Sequence, residues 1–106
     1  MDKISASHIL IMHKGSQSSR SDLSKKEALD LINDIFEKLN KNKKLFKDLA
    51  SKHSDCSSSS YGGSLGEFGK GMMVKPFEEK AFSLDIDEIS KPIETDFGFH
   101  IIKRDS

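Results

Sequence analysis

The sequence predicts an α+β fold in which helices cover a small, four-stranded, mainly antiparallel sheet. Along the 106 residues, apolar side chains form alternating or short continuous runs in four segments and a helical three- and four-residue spacing in three others. The predicted order is strand, long helix, short helix, short strand, short helix, strand, strand. Because no repeat or linker interrupts this order, we expect one domain covering residues 1–106.

The charge balance and the cysteine count argue against several classes of protein. Lys plus Arg and Asp plus Glu number 17 each, so the chain lacks the excess positive charge with which nucleic-acid-binding proteins contact phosphates. Cys56 is the only cysteine, so no disulfide forms within the chain and a reducing compartment is favoured. The longest apolar run, residues 9–12, is too short to span a bilayer. We therefore expect a cytosolic or nuclear monomer that binds neither nucleic acid nor membranes.

The first half of the chain predicts a central strand followed by two helices. Residues 3–13 are apolar on both faces of the strand alternation, which is typical of a strand with neighbours on both sides. After a polar loop, Ser24 and Glu27 form a capping box, in which each side chain satisfies a free backbone N–H group at the start of a helix. The apolar stripe of this helix runs to about Asn40. A second, shorter helix is predicted from Leu45 to His53.

The second half predicts a short strand, a short helix and a hairpin. Residues 54–71 are rich in serine and glycine, so we expect a loop, a strand at Leu65–Phe68 and a tight turn. A helix is predicted over 74–82, where a proline in the first turn is tolerated. Two strands, Ile89–Ile93 and Phe97–Lys103, are predicted to pair as a hairpin about residues 94–96.

Five short motifs resemble those of one enzyme family. The motifs are Ser7-His8-Ile9-Leu10, Ser54-Asp55-Cys56-Ser57, Gly63-Ser64-Leu65-Gly66 with Phe68, Lys75-Pro76-Phe77-Glu78, and Thr95-Asp96-x-Gly98-x-His100-Ile101-Ile102. Their order and approximate spacing are similar to those of the parvulin peptidyl-prolyl cis/trans isomerases, which have an FKBP-like fold. The resemblance implies a rotamase that acts on proline-containing protein segments without a cofactor or metal. The second motif and the long first loop resemble the eukaryotic Pin-type branch, and the absence of tryptophan indicates that no WW domain is present.

The reaction requires an apolar seat for the proline ring. Amide resonance imposes a rotational barrier of roughly 18–20 kcal/mol, so the catalyst must favour a twisted amide over a planar one. The resemblance implies that Leu65, Met73 and Phe77 line the proline pocket, and their apolar, aromatic and polarizable side chains suit that role. On the sequence pattern alone, all three would be ordinary core residues.

The resemblance also implies a polar floor beneath the amide. Its catalytic residues would be His8, Cys56, Thr95 and His100. Two imidazoles joined by a hydrogen bond, with a threonine fixing one tautomer, would present a defined polar surface. Asp55 and Ser57 flank the cysteine and are expected to contact the substrate and to tune the thiol. Because rotation about an amide needs no nucleophile, we interpret the cysteine as an electrostatic and shape element.

The first loop offers only a thinned basic cluster. Pin-type enzymes bind the phosphate of phosphoSer/Thr-Pro through basic side chains in this loop, and here Lys14 and Arg20 are the candidates. Met12 stands where lysine is common in this branch. We therefore expect phosphoSer/Thr-Pro substrates, with a reduced preference for phosphate over an acidic side chain. The alternative is a solvated loop with two stray cations. Val74 and Phe97 replace polar residues that are common in this branch and should make the pocket rim more apolar.

Two other functions agree with part of the pattern. A parvulin-like domain could hold proline-containing segments as a chaperone without turnover, whereas only an enzyme raises the cis/trans exchange rate at sub-stoichiometric amounts. Cys56 with a histidine base could also indicate a cysteine hydrolase. The chain has no glycine-flanked nucleophile elbow, which weighs against the hydrolase.

Overall fold

The computed structural model describes residues 3–16, 19 and 21–106, and its strands form one antiparallel sheet. The strands are β1 (Lys3–Ile11), β2 (Ser64–Gly69), β3 (Ile93–Thr95) and β4 (Gly98–Arg104). They lie in the order β2-β1-β4-β3, so β1 and β4 are the inner pair. Inner strands of a covered sheet are buried on both faces, which explains the apolar residues on both faces of β1. The predicted α+β class and the central position of the first strand are confirmed.

Helices cover both faces of this sheet. They are α1 (Lys25–Lys41), α2 (Phe46–His53) and α3 (Lys75–Ser83), with 3-10 turns at Lys43–Leu45 and Ser57–Tyr61. Helix α1 begins with the predicted capping box: the Glu27 N–H donates to the Ser24 hydroxyl at 3.0 Å, and the Ser24 N–H donates to the Glu27 carboxylate at 2.9 Å. Among the described residues, no helix is both long enough and apolar enough to cross a membrane.

The core has two layers separated by the sheet. Helices α1 and α2 pack on one face, against a set of residues that includes Ile9 and Ile101. Helix α3 packs on the other face, against a set that includes Ala6 and Ile102. Because successive strand residues point to opposite faces, each inner strand contributes to both layers.

The prediction of a strand over Ile89–Ile93 is wrong. The edge strand β3 covers Ile93–Thr95 instead, and the hairpin turn is Asp96-Phe97. Pro92 is the physical reason, because proline has no N–H group to donate to a strand ladder. Before the proline, the chain follows β4 irregularly, through an isolated bridge between Ile89 and Lys103 and a few backbone hydrogen bonds such as Ser90 N–H to the Ile102 carbonyl at 2.7 Å.

Strand β2 contains a bulge that matters for the site. Ala6 pairs with Gly66 and Ser7 pairs with Ser64, so Leu65 is an extra residue between them. Gly66 has a φ of 75°, a left-handed conformation that glycine adopts without steric cost. The bulge therefore changes the direction of the Leu65 side chain relative to a regular strand.

Candidate active site

Two histidines meet on the face of the sheet that α3 covers. His8 in β1 pairs with Ile102 of β4, which makes His100 its diagonal neighbour on the same face. The Nδ1 atoms of the two histidines are 3.1 Å apart, within hydrogen-bonding distance. Their rings stack with centroids 5.2 Å apart. The register of the two inner strands thus brings together the two histidines that the motifs single out.

Thr95 extends this polar chain from the β3–β4 turn. Its Oγ1 atom lies 2.8 Å from Nε2 of His100 and also accepts the Phe97 N–H at 3.2 Å. Gly98 closes the turn with a φ of 133°, and a Cβ atom there would collide with the carbonyl oxygen of Ile11. The turn that positions the threonine therefore requires glycine.

His100 is held neutral. Burial, followed by the neighbouring His8, lowers the pKa of His100 to about 3. A neutral imidazole has one donor and one acceptor nitrogen, and here Thr95 and His8 occupy the two positions. The ring is therefore fixed in orientation and polarised in one direction at physiological pH.

The segment that carries Cys56 is fastened to β1. The Asp55 N–H donates to the Leu10 carbonyl at 2.7 Å, and the Asp55 carboxylate accepts the Met12 N–H at 2.8 Å. The 3-10 turn that starts at Ser57 follows directly. These bonds fix the half-buried cysteine beside the strand that carries His8.

The surroundings of Cys56 favour its thiolate. The pKa of the thiol is lowered to about 6, mainly by the His8 imidazole; partial burial opposes this effect, and Ser58 makes a smaller contribution in the same direction as His8. Nε2 of His8 and the Ser58 hydroxyl have no hydrogen-bond partner among the described residues, which leaves both available to the sulfur. At neutral pH the cysteine is therefore mainly an anion.

An apolar hollow of about 510 Å³ adjoins these polar groups. Phe77 of α3 forms its buried wall, 3% exposed, with its ring centroid 5.4 Å from the ring centroids of both His8 and His100. Leu65 from the β2 bulge and Met73, just before α3, are half-buried and pack against the same cluster as the phenylalanine. The three apolar candidates thus surround one hollow together with His8, Cys56 and His100, whereas Thr95 does not line it and reaches it only through His100.

Several lining residues were not singled out by the motifs as pocket residues. These are Leu10, Met12 and Met72, whereas Val74 and Phe97 line the hollow as expected from the sequence. Leu10 has the same strand parity as His8, so the alternation could have identified it. Met12 and Met72 lie in irregular segments, where no periodicity indicates which side chain faces the site.

The predicted substrate and phosphate residues differ in how the structure places them. Asp55 and Ser57 are exposed and line the hollow. Lys14 is exposed in the loop after β1, its N–H bonded to the Leu23 carbonyl at 2.8 Å, and it does not line the hollow. Arg20 lies outside the described residues. Phosphate binding by this pair therefore stays a prediction.

Comparison with known proteins identifies the same family along nearly the whole chain. The model of the rotamase family, described as the PPIC-type PPIASE domain, matches residues 8–106. Peptidyl-prolyl cis-trans isomerase Pin1 of Digitalis lanata is 44% identical over 97% of this chain and 96% of its own. The pin1 isomerase of Schizosaccharomyces pombe is 46% identical over 96% of this chain, which spans 62% of that longer protein.

Solved structures agree with this assignment. Peptidyl-prolyl isomerase ESS1 from Candida albicans superposes with a TM-score of 0.93 at 35% identity, covering 98% of this chain and 63% of that one. The solution structure of TbPIN1 gives a TM-score of 0.89 at 35% identity and covers 98% and 97%. These similarities favour an isomerase over a cysteine hydrolase or a non-catalytic binding module. The chain belongs to the parvulin family and is a peptidyl-prolyl cis/trans isomerase.

Proposed function

We propose that this isomerase acts on X-Pro bonds in which X is phosphoserine, phosphothreonine or an acidic residue, in client segments that enter the apolar hollow. The observation that carries the proposal is the position of the Phe77 ring, which packs edge-on against both imidazoles at the hollow. The proline ring lies against Phe77, Leu65 and Met73, and its amide faces the polar groups beneath.

Catalysis in this proposal is electrostatic and non-covalent. A planar amide carries partial negative charge on oxygen and partial positive charge on nitrogen, and both are lost as the C–N bond twists. A Cys56 thiolate near the carbonyl oxygen disfavours the planar form, and the Thr95–His100–His8 chain supplies a fixed polar surface. Lowering the barrier by about 6 kcal/mol corresponds to roughly four powers of ten in rate.

The preference before proline rests on the first loop. Lys14 and Arg20 supply the positive charge that would attract a phosphate or carboxylate. The apolar Met12 and the Asp55 carboxylate line the hollow and weaken this attraction. This balance supports a preference for negative charge that discriminates only weakly between phosphate and carboxylate.

Exchange spectroscopy on three peptides tests this preference. We expect the catalysed cis/trans exchange rates of the phosphoSer-Pro and Glu-Pro peptides to be several-fold higher than that of the Ala-Pro peptide. The comparison is made at low salt, because ions screen the charge attraction that produces this difference. The Lys14→Ala, Arg20→Ala double variant should lose this advantage and keep its Ala-Pro rate. A matched double variant at exposed lysines elsewhere, Lys26→Ala with Lys91→Ala, should behave like the parent. Charge selectivity that survives the loop variant would show that the loop assignment is wrong.

The cellular setting is part of the proposal. The chain acts as a monomer in a reducing compartment, the cytosol or nucleus, and its single cysteine supports the reducing setting. Sedimentation of the purified chain checks the first point, and imaging of a fluorescent fusion checks the second.

A further inference from the structure

A second hollow, of about 580 Å³, lies on the opposite face of the sheet from the proline hollow. Ser7 and Lys103 line it, and strand alternation directs them away from His8 and His100. The buried Phe46 and Tyr61, 73% exposed, give it apolar surface. The residues that line the two hollows do not overlap, so the second hollow is separate from the candidate active site.

Positive charge is concentrated beside this hollow. Residues 38–47 contain five lysines and no acidic residue, although the whole chain has a net charge of zero. The remainder of the chain is therefore net negative by five. Three of these lysines, Lys43, Lys44 and Lys47, line the hollow.

The other charged residues of the hollow are one lysine and two aspartates, so the lining as a whole carries four positive and two negative charges. Lys103 lies 3.0 Å from a carboxylate oxygen of Asp105 and 3.7 Å from one of Asp87. Lys43, Lys44 and Lys47 form no ion pair with any described residue. An incoming anion would therefore meet these three lysines.

The backbone that presents these lysines is held in place. The Asn42 side chain caps the 3-10 turn by accepting the Lys44 N–H at 3.1 Å. The stem of Lys47 lies close over Gly62, where a Cβ atom would come within 2.7 Å of its Cγ. The result is a fixed basic rim around a partly apolar floor.

We infer that this hollow is a docking site for an acidic segment of the client protein, with carboxylates beside the lysines and an apolar side chain against Phe46 and Tyr61. Its concave shape suits a peptide better than a flat bilayer. Lysines are compact charges on flexible stems, which suits dispersed carboxylates rather than planar bidentate recognition.

Docking at this site would tether the X-Pro bond near the proline hollow. Tethering raises the effective concentration of the X-Pro segment at the proline hollow and leaves the rotation step unchanged, so it lowers KM and not kcat. The smallest dimension of the molecule is 22 Å, and the client must pass around an edge. At about 3.3–3.6 Å per extended residue, a path of 22 Å takes about seven residues, and a linker of roughly a dozen residues or more leaves room for the turn around the edge.

The test compares an Ala-Pro peptide with the same peptide joined to a Glu-Leu-Glu-Glu-Leu-Glu segment. The joining Gly/Ser linker is either about 15 residues, long enough to reach around the edge, or about three residues, too short to do so. We expect only the long-linker peptide to show a KM several-fold below that of Ala-Pro alone, with the same kcat and with an advantage that disappears at high salt. A peptide with Gln in place of Glu should show no advantage.

Two triple variants carry the same loss of charge. Lys43→Gln, Lys44→Gln, Lys47→Gln should abolish the KM advantage, whereas Lys3→Gln, Lys26→Gln, Lys91→Gln should keep it. An acidic segment that gives the parent no advantage, or an advantage lost equally in both variants, overturns the inference. Binding of phosphatidylserine vesicles or RNA through these lysines, without competition from the Glu peptide, overturns it as well. Turnover of Ala-Pro alone reports on the isomerase separately.

Discussion

At the scale of single residues, the site controls which atoms carry protons. Burial keeps His100 neutral, and the adjacent His8 favours a thiolate at Cys56. A negative charge and a neutral, oriented imidazole therefore lie beside one apolar hollow at neutral pH. The sequence motifs could predict that these residues meet, but not their protonation, because burial and distances decide the pKa values.

Substitutions at Cys56 separate charge from nucleophilicity. Because the thiol has a pKa of about 6, we expect kcat/KM of the parent to fall as the pH drops below 6. The kcat/KM of Cys56→Ser, whose side chain carries no charge, should be about tenfold lower than that of the parent at pH 7 and should not show this pH dependence. Cys56→Asp should retain more activity and hold it to lower pH, because a carboxyl titrates near 4. The measurement is the exchange rate of an Ala-Pro peptide from pH 5 to 8.

Intact mass spectrometry is the companion measurement for this series. No adduct should accumulate on the parent during turnover. Complete loss of activity in Cys56→Ser, together with an acyl adduct on the parent, would contradict the electrostatic role.

At the scale of elements, the β3–β4 hairpin shows where sequence patterns reach their limit. Helix α1 was predictable because its cap and apolar stripe are local. The position of β3 was missed, because Pro92 interrupts the pairing between the two isoleucines that mark the ends of the predicted strand Ile89–Ile93. The Leu65 bulge was also not predicted, since the register of β1 with β2 depends on contacts distant in sequence.

Gly98→Ala tests the hairpin. The added Cβ would meet the Ile11 carbonyl in a conformation unfavourable for alanine, so we expect a loss of about 2 kcal/mol or more in the free energy of unfolding. Activity should fall further than stability explains, because Thr95 and His100 flank this residue. Urea denaturation and the exchange assay on the folded fraction measure the two effects.

Gly15→Ala is the matched control for the hairpin variant. Its Cβ would make only ordinary contacts, at 3.4 Å from the His13 ring. It should change neither stability nor activity appreciably. Equal effects of the two substitutions would show that the hairpin has no special role.

At the scale of the whole molecule, the two faces of the sheet carry different hollows. The α3 face carries His8, His100 and Phe77, which a family resemblance can locate. The other face carries the lysine-lined hollow, which the sequence did not reveal because a lysine run resembles any solvated helix end. Only the topology, which puts the start of α2 beside the end of β4, brings those lysines around a concavity.

Stability of the whole molecule should fall in mild acid. Folding lowers the pKa of His100 from 6.5 to about 3. Between pH 6.5 and pH 3, His100 is therefore protonated in the unfolded chain and neutral in the folded chain. The free energy of unfolding should therefore decrease as the pH falls from 6.5 towards 3, by about 3 kcal/mol by pH 4. Urea titrations at several pH values check this, and His100→Asn should show a shallower slope. An unchanged slope in that variant would assign the acid sensitivity to other groups.

The fastening of Asp55 to β1 bears on the thermodynamics of peptide capture. Because the cysteine is held by the sheet and not by a free loop, little backbone ordering remains to oppose binding. The heat-capacity change of binding should then reflect almost entirely the apolar area that the proline and its neighbours cover. Such a preformed receptor adds little entropy cost of its own, so a difference in affinity between a flexible tail and a stiff loop would come from the ordering of the ligand itself.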